Sequence, residues 1–381
     1  MSRKKRDAKI PLSKASIGKE EERAVVSALR SGWLTHGYNN KAFEEAFAGY
    51  IGVKHAITMN SCTSALFLAL VANDITGEVI LPSFTFVASA NAIVTAGATP
   101  VFADVDYATR MLDPKSVEKC ITKKTQAIMV VHYAGQPGPL KELQRLCKKH
   151  DLLLIEDSAE AIGCDYQGKK AGSFGIGCFS FFPTKNITAG EGGMFTTNDE
   201  KLAEKVSALI AHGIDKKKDK GPTPGYRSAR YAGYNFRMSN ILAAIGVEQM
   251  KKIDGLNRKR QKLAREYDTL LRDVSQVATP TIAPGRTHVY QMYTITVPAK
   301  DRDALARTLI DSNIEASVHF IPAVHQQIFY KKNYKARVPL RVTERLCGEI
   351  LTLPMYPDMS LSDVKRVCAV IKTYFAAHAR S

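Results

Sequence analysis

The chain has 381 residues, 45% of them hydrophobic and 24% charged, enough for a large buried core and for two domains. No apolar run approaches the roughly 18 residues that a membrane helix requires, so no membrane insertion is expected. The basic opening MSRKKRDAK has no apolar stretch behind it and does not read as a secretory signal.

Cys62, Cys120, Cys147, Cys164, Cys178, Cys347 and Cys368 show no CxxC spacing. That pattern suggests reduced, buried thiols in a cytoplasmic protein, with no zinc or iron–sulfur site. Lys and Arg number 54 against 37 Asp and Glu, a formal net charge of +17, which favours anionic partners. The charge forms no binding stripe. Its densest clusters, Arg3–Arg6 and Asp215–Lys220, lie beside loop-like sequence and read as solvated loops. No helix-turn-helix, zinc-finger or RNA-binding motif is present, so nucleic acid is not an expected partner.

In chain order, residues 18–30 place Val25, Val26 and Leu29 at helical spacing, and Ser31-Gly32 ends that helix. The turn-rich SGWLTHG at 31–37 holds the only tryptophan and precedes a second helix at about 40–50 and a short strand at His55–Met59. NSCTSALFLALVA follows, with polar Asn60 to Ser64 running straight into an apolar helical run. That is a helix N-terminus carrying hydroxyls and free N–H groups. It reads equally as a phosphate seat and as simple capping.

Strand-like and helix-like segments then alternate. The strands are EVILP (78–82), TPVFADV (99–105), QAIMVVHYAG (126–135) and LLLIEDSAEAIG (152–163), with helices near 86–96 and 139–149. These strands are continuous apolar runs, as a parallel sheet buried on both faces requires, and ligands of such sheets sit at the C-terminal strand ends. Asp157, Phe84 to Phe86 and Ser180 to Lys185 occupy such ends.

The stretch from Gly177 to Asp199 reads as strand, loop, strand. Its apolar run Cys178 to Phe182 stops at Pro183, and Lys185 follows with no charged neighbour until Glu191. A lysine at the end of a buried strand loses hydration, and its amine is then suited to Schiff-base chemistry. A surface lysine in a hairpin is the plainer alternative. A helix near 199–212 leads to the polar loop that begins at His212, and a helical region at 239–272 leads to a smaller α+β part. That part has strands near 289–297 and 314–320 and helices near 301–312, 341–350 and 360–376. His319 and His325 flank a proline turn there, and packing explains them as well as binding does.

In chain order Thr63, Ser64, Phe86, Asp157, Ser180 and Lys185 are the parts a pyridoxal phosphate enzyme needs. They are a Schiff-base lysine, a carboxylate for the pyridine nitrogen, an aromatic for the ring face, and hydroxyls at a helix start for the phosphate. PSFTFVASANAI, IEDSAEAIG, GCFSFFPTKNITAGEGGM and GYNFRMSN resemble the blocks of the DegT-type nucleotide-sugar aminotransferases. Together with IPLSKASIG…SGWLTHG, the resemblance runs from about residue 10 to the end.

The resemblance implies an α/β chain of PLP-dependent transferase fold type I. Residues 1–250 would form a large cofactor domain around a mostly parallel sheet, and residues 251–381 a small α+β domain. It implies Lys185 as the Schiff-base lysine and proton carrier, Asp157 at the pyridinium nitrogen, Phe86 on the ring, and Ser180 with Thr63 and Ser64 at the phosphate. A core role is the alternative for Phe86. Asn235 matches an asparagine that reaches the neighbouring subunit's cofactor, implying a homodimer with shared sites. Glu160 stands where many members carry Gln or His, near the ring hydroxyl.

The implied reaction moves an amino group from L-glutamate, through pyridoxamine phosphate, to the keto-sugar of a nucleoside diphosphate. The lysine and HFIPAVHQQ contexts look more like the 4-keto enzymes. Thr35 in SGWLTHG, the Lys/Arg loop after 212, His319 and His325 are candidates for the sugar nucleotide. A dehydratase branch of the family, which carries histidine in place of the lysine, is the enzymatic alternative. A non-catalytic regulatory protein on the same fold is the other.

Overall fold

The computed structural model describes residues 8–215, 223 and 225–378. The strands in chain order are β1 (His55–Met59), β2 (Glu78–Pro82), β3 (Thr99–Ala103), β4 (Thr125–Val131), β5 (Leu153–Asp157), the short pair β6 (Asp165–Tyr166) and β7 (Lys169–Lys170), β8 (Ile176–Ser180), β9 (Gly193–Thr197), β10 (Tyr293–Thr296) and β11 (Ile350–Leu353). Seven of them form one sheet in the order β1-β9-β8-β5-β4-β2-β3. Only β9 is reversed, pairing antiparallel with both β8 and β1, while β3, β2, β4, β5 and β8 pair in parallel.

The apolar strands are buried on both faces, as parallel packing requires. Alternate residues serve opposite layers. Val79, Leu81 and Ile155 face helices 62–71, 87–95 and 200–209, whereas Ile80 and Leu154 face helices 114–120 and 140–150. Helix Tyr38–Ile51 and the start of helix Asn240–Leu271 close a third cluster, in which Phe43 and Phe47 pack on Phe179 and Phe181. All seven cysteines are buried and free, as their spacing suggested.

A separate core joins β10 and β11 to helices Ala299–Asp311 and Leu361–His378 through Tyr293, Leu305, Leu351 and Ile371. The expected division at 250/251 falls inside the unbroken helix Asn240–Leu271. That helix gives Met250 and Ile253 to the cluster around Phe43 and Leu263 and Tyr267 to the second core. Ile10 also packs in the second core and bridges to Ile314.

The strand expected at 314–320 reduces to single bridges, Ile10 to Ile314 and Ser317 to Thr352. The one expected at 289–297 shortens to β10. Its leading residues instead cross the turn after β4, where the Val289 and Met292 N–H groups donate to Gly135 and Ala134 carbonyls. Periodicity missed β11 and the helix Pro114–Cys120, although the latter carries a clear start, Asp113 capping and Pro114 in the first turn.

Candidate active site

The parallel strands deliver their C-terminal ends to one place. Asp157 ends β5 and Ser180 ends β8, and both open onto a cavity of about 560 Å³ whose walls include Thr63, Phe86, Lys185 and His319. The residues expected at three strand tips and one helix start therefore come together.

The helix start at Cys62 is capped by Ser61, whose Oγ accepts the Ser64 N–H at 3.1 Å. The Ser64 hydroxyl donates to Asn60 Oδ1 at 2.7 Å and is buried in the cap, so Ser61, Cys62 and Thr63 line the cavity while Ser64 does not. β9 begins against this turn. A Cβ on Gly193 would stand 2.3 Å from the Ser61 carbonyl group, an approach that only glycine allows.

Asp157 is buried. Its Oδ2 accepts from Ser89 Oγ at 2.7 Å and its Oδ1 from the Ala159 N–H at 3.2 Å. Burial pushes its carboxyl above the ordinary value. The two hydrogen bonds oppose that shift, the Glu160 charge adds to it, and Lys185 opposes it further.

Lys185 lies in the loop between β8 and β9, with Nζ 3.5 Å from Glu160 Oε1; the other Glu160 oxygen accepts the Ala134 N–H at 2.9 Å. The loop is fastened from several sides. Asn186 donates to Asn257 Oδ1 at 2.7 Å, Thr188 Oγ1 donates to the Phe181 carbonyl at 2.8 Å, and Gln291 Nε2 donates to the Thr184 carbonyl at 3.0 Å. The plain hairpin lysine does not describe this arrangement. Arg260, fully buried and brought down to about 10 by that burial, holds the carbonyls of Tyr290, Gln291 and Met355 at 3.0–3.3 Å.

Phe84 is the core phenylalanine of its segment, whereas Phe86 is 59% exposed on the cavity wall, 6.2 Å from the Phe320 ring. His319 lines the cavity with Nδ1 2.9 Å from Thr352 Oγ1. Burial is the largest influence on its imidazole and lowers its pKa; Glu160 raises it and Lys185 lowers it.

A sequence model described as the DegT/DnrJ/EryC1/StrS aminotransferase family matches residues 15–372. This chain belongs to that family. It is 37% identical to the spore coat polysaccharide biosynthesis protein SpsC of Bacillus subtilis, over 97% of each chain. Among solved structures it superposes with TM-score 0.91 on PseC of Helicobacter pylori, an aminotransferase involved in the biosynthesis of pseudoaminic acid, at 32% identity over 97% of this chain and all of that one. The putative sugar aminotransferase Spr1654 of Streptococcus pneumoniae, solved in a PLP form and a PMP form, matches at 26% identity with TM-scores of 0.90 and 0.91, over 96% of this chain and 98% of that one. The fold is that of the PLP-dependent aminotransferases, and the chain is an aminotransferase of the DegT family.

For a DegT-family enzyme the donor set fits pyridoxal phosphate. A buried carboxylate, Asp157, lines the cavity together with Lys185, and the helix start Ser61–Thr63 forms part of its wall. Two residues expected at the substrate, His325 and Thr35, and one expected at a neighbouring subunit's cofactor, Asn235, lie off the cavity. His325 is fastened instead, with Nδ1 2.7 Å from Ser83 Oγ and Nε2 3.3 Å from Glu344. Thr35 is exposed in the bend before helix 38–51, and Asn235 is exposed beside its bridge to Ala211. The clusters Arg3–Arg6 and 216–220 lie outside the described residues. Sequence reasoning missed Ser89 and Gln291. Ser89 was visible as a hydroxyl one turn inside an apolar helix start; Gln291 carries no local signal.

Proposed function

We propose that this aminotransferase carries the amino group of L-glutamate to the keto group of a nucleoside-diphosphate sugar, the 4-keto position first among the candidates, with pyridoxal phosphate as cofactor. The observation that carries the reading is the convergence of Lys185, Asp157, Thr63 and Ser180 on one cavity. When bound, the cofactor supplies an electron sink that lets a proton leave the carbon bearing the amine. The protein's part is binding, orientation and proton movement.

Asp157, its carboxylate fixed by Ser89 and the Ala159 N–H, would keep the ring nitrogen of the cofactor protonated. The N–H groups at the start of helix 62–71, with the hydroxyls of Thr63 and Ser180, hold the phosphate, and Ser64 supports them from within the cap. Phe86, exposed on the wall, would cover one face of the ring. Lys185 Nζ takes the proton from substrate carbon and returns it one stage later. Glu160 and His319 also line the cavity, where Glu160 would serve the ring hydroxyl and His319 the sugar.

The names PseC and SpsC support a sugar acceptor, and the excess of basic residues suits a diphosphate. The exposure of Asn235, off its own cavity, supports a role in a second subunit's site, and Thr35 shares that exposure. We therefore assign a homodimer with shared sites. Among the described residues no helix is long and apolar enough to cross a membrane.

The experiment is an absorbance spectrum of protein with added pyridoxal phosphate, before and after glutamate. It is followed by a screen of 4-keto and 3-keto nucleotide sugars for aminated product. A visible band that moves to the ultraviolet with glutamate, and product from a keto-sugar, support the reading. A band indifferent to every amino donor overturns it.

A further inference from the structure

Arg110 is only 5% exposed, yet among the described residues its guanidinium makes no ion pair and no hydrogen bond. Buried charges are ordinarily paired, because an uncompensated one is costly. The backbone adds a second cost, since Arg110 stands at φ of 63°, a region that L side chains rarely adopt. The turn that carries it, between β3 and helix 114–120, packs Val105 and Met111 with Tyr133, Ala134 and Met292. Its electrostatic neighbours are the phenols of Tyr107, Tyr133 and Tyr293 and the His288 ring. Phenols and an imidazole supply no negative charge at neutral pH. The carboxylates that could have done so are engaged elsewhere. Asp106 accepts the Thr109 N–H and hydroxyl, each at 2.8 Å, and Glu349 accepts the Tyr107 hydroxyl at 2.6 Å and Arg345 Nε at 2.9 Å. Two further donors here also lack acceptors. Thr294 Oγ1 is buried beside the Tyr133 hydroxyl with no hydrogen-bond partner. His288 accepts the Tyr290 N–H at Nδ1, which puts its own hydrogen on Nε2, and no described residue accepts it.

We infer that this corner is a closed site for one small monovalent anion, such as chloride, held by Arg110 with Thr294 and His288. One negative charge pairs the guanidinium and accepts from the hydroxyl and the imidazole N–H, so a single ion accounts for all three buried donors. The site lies behind the catalytic cavity rather than in it. Met292 lines the cavity and also packs in this cluster, whereas Arg110, His288 and Thr294 do not line the cavity. The ion joins the turn after β3, which belongs to the sheet, to β10 and the residues leading into it, which belong to the second core. It thereby fastens one core to the other across the wall that Met292 forms. The inference does not rest on the amine-transfer reading.

The test is thermal unfolding in sodium chloride against sodium gluconate at equal ionic strength, for wild type, Arg110→Met and Thr294→Val. Chloride should raise the wild-type melting temperature by a few degrees over gluconate, in a titration that follows mass action. Methionine keeps an unbranched stem and meets the same backbone demand without the charge. Arg110→Met should therefore lose the chloride response, whatever its own melting temperature. Thr294→Val keeps the shape of the side chain and should move the titration to higher chloride. Anion binding at the helix start of the catalytic cavity is common to all three proteins and cancels in the comparison. A wild type that melts alike in both salts overturns the proposal, and so does a chloride response that Arg110→Met retains. Should Arg110→Met not fold, Thr294→Val decides, and a titration it leaves unmoved overturns the site.

Discussion

Ser89 Oγ lies 2.7 Å from Asp157 Oδ2 and 3.0 Å from Thr85 Oγ1, so a single hydroxyl ties a buried carboxylate to the start of helix 87–95. Ser89 can reverse its role, because its proton can go to Thr85 instead. Replacing Asp157 by Asn is therefore tolerated sterically and in hydrogen bonding.

That tolerance makes Asp157→Asn informative. Burial raises the Asp157 carboxyl, so the folded apoprotein binds its proton more tightly than the unfolded chain. This group's contribution to stability falls as pH rises through the carboxylate range. At pH 7 the neutral amide, which carries no buried charge, should stabilise the apoprotein relative to wild type. Amine transfer should be lost in the same variant. A melting temperature unchanged or lowered at pH 7 would count against the argument.

Lys185→Ala should reduce turnover with glutamate and a keto-sugar by about 10²–10⁴-fold, the range for a lost proton-transfer group, or more where its covalent role is also lost. Phosphate binding should persist, since the proposed seat at Thr63 and Ser180 is untouched. Equilibrium dialysis with pyridoxal phosphate separates the two. Retained turnover would sink the assignment of Lys185.

Gly193→Ala places a methyl group 2.3 Å from the Ser61 carbonyl group and 2.5 Å from Cys62 N. Either β9 or the start of helix 62–71 must move. The expected loss is about 1–3 kcal/mol of stability, as for other overpacked sites, together with weaker cofactor retention. Chemical denaturation and a cofactor titration check the two effects separately.

His288 is fully enclosed, stacked on Tyr290 at 4.0 Å, with Nδ1 accepting the Tyr290 N–H. Burial, helped by Arg110, lowers it to about 3. Its folded pKa lies below the unfolded one, so the stability it confers is complete above about pH 6.5. It is lost as pH falls toward 3, with a slope near 1.4 kcal/mol per pH unit. His288→Asn, which keeps an acceptor, should flatten that slope in urea midpoints measured between pH 7 and 5. Parallel slopes for the two proteins would refute it.

The sheet and its contents were legible because each of its parallel strands is an apolar run closed by a polar tip. Asp157 and Ser180 could be placed by that pattern alone, and Lys185 by its isolation after Pro183. The contacts that complete the site were not legible, because they join distant segments. Gln291 reaches Thr184 and Ala134 reaches Glu160 across 107 and 26 residues. His325 shows the converse failure. A histidine beside a proline turn carries no mark of whether it faces a cavity, and here it pins Ser83.

Helix Asn240–Leu271 bears on how this chain could be recombined with a relative. It serves two cores, and Arg260 near its middle grips carbonyls of Tyr290, Gln291 and Met355, all from the C-terminal side. A chimera joined at 250 keeps position 260 on the same side of the seam as the carbonyls it grips, so the contact survives only where the donor also carries an arginine there. Junctions before Asn240 or beyond Leu271 differ sharply in consequence. The first transfers the strut with the module it holds; the second leaves a buried cation waiting for partners that another lineage did not shape.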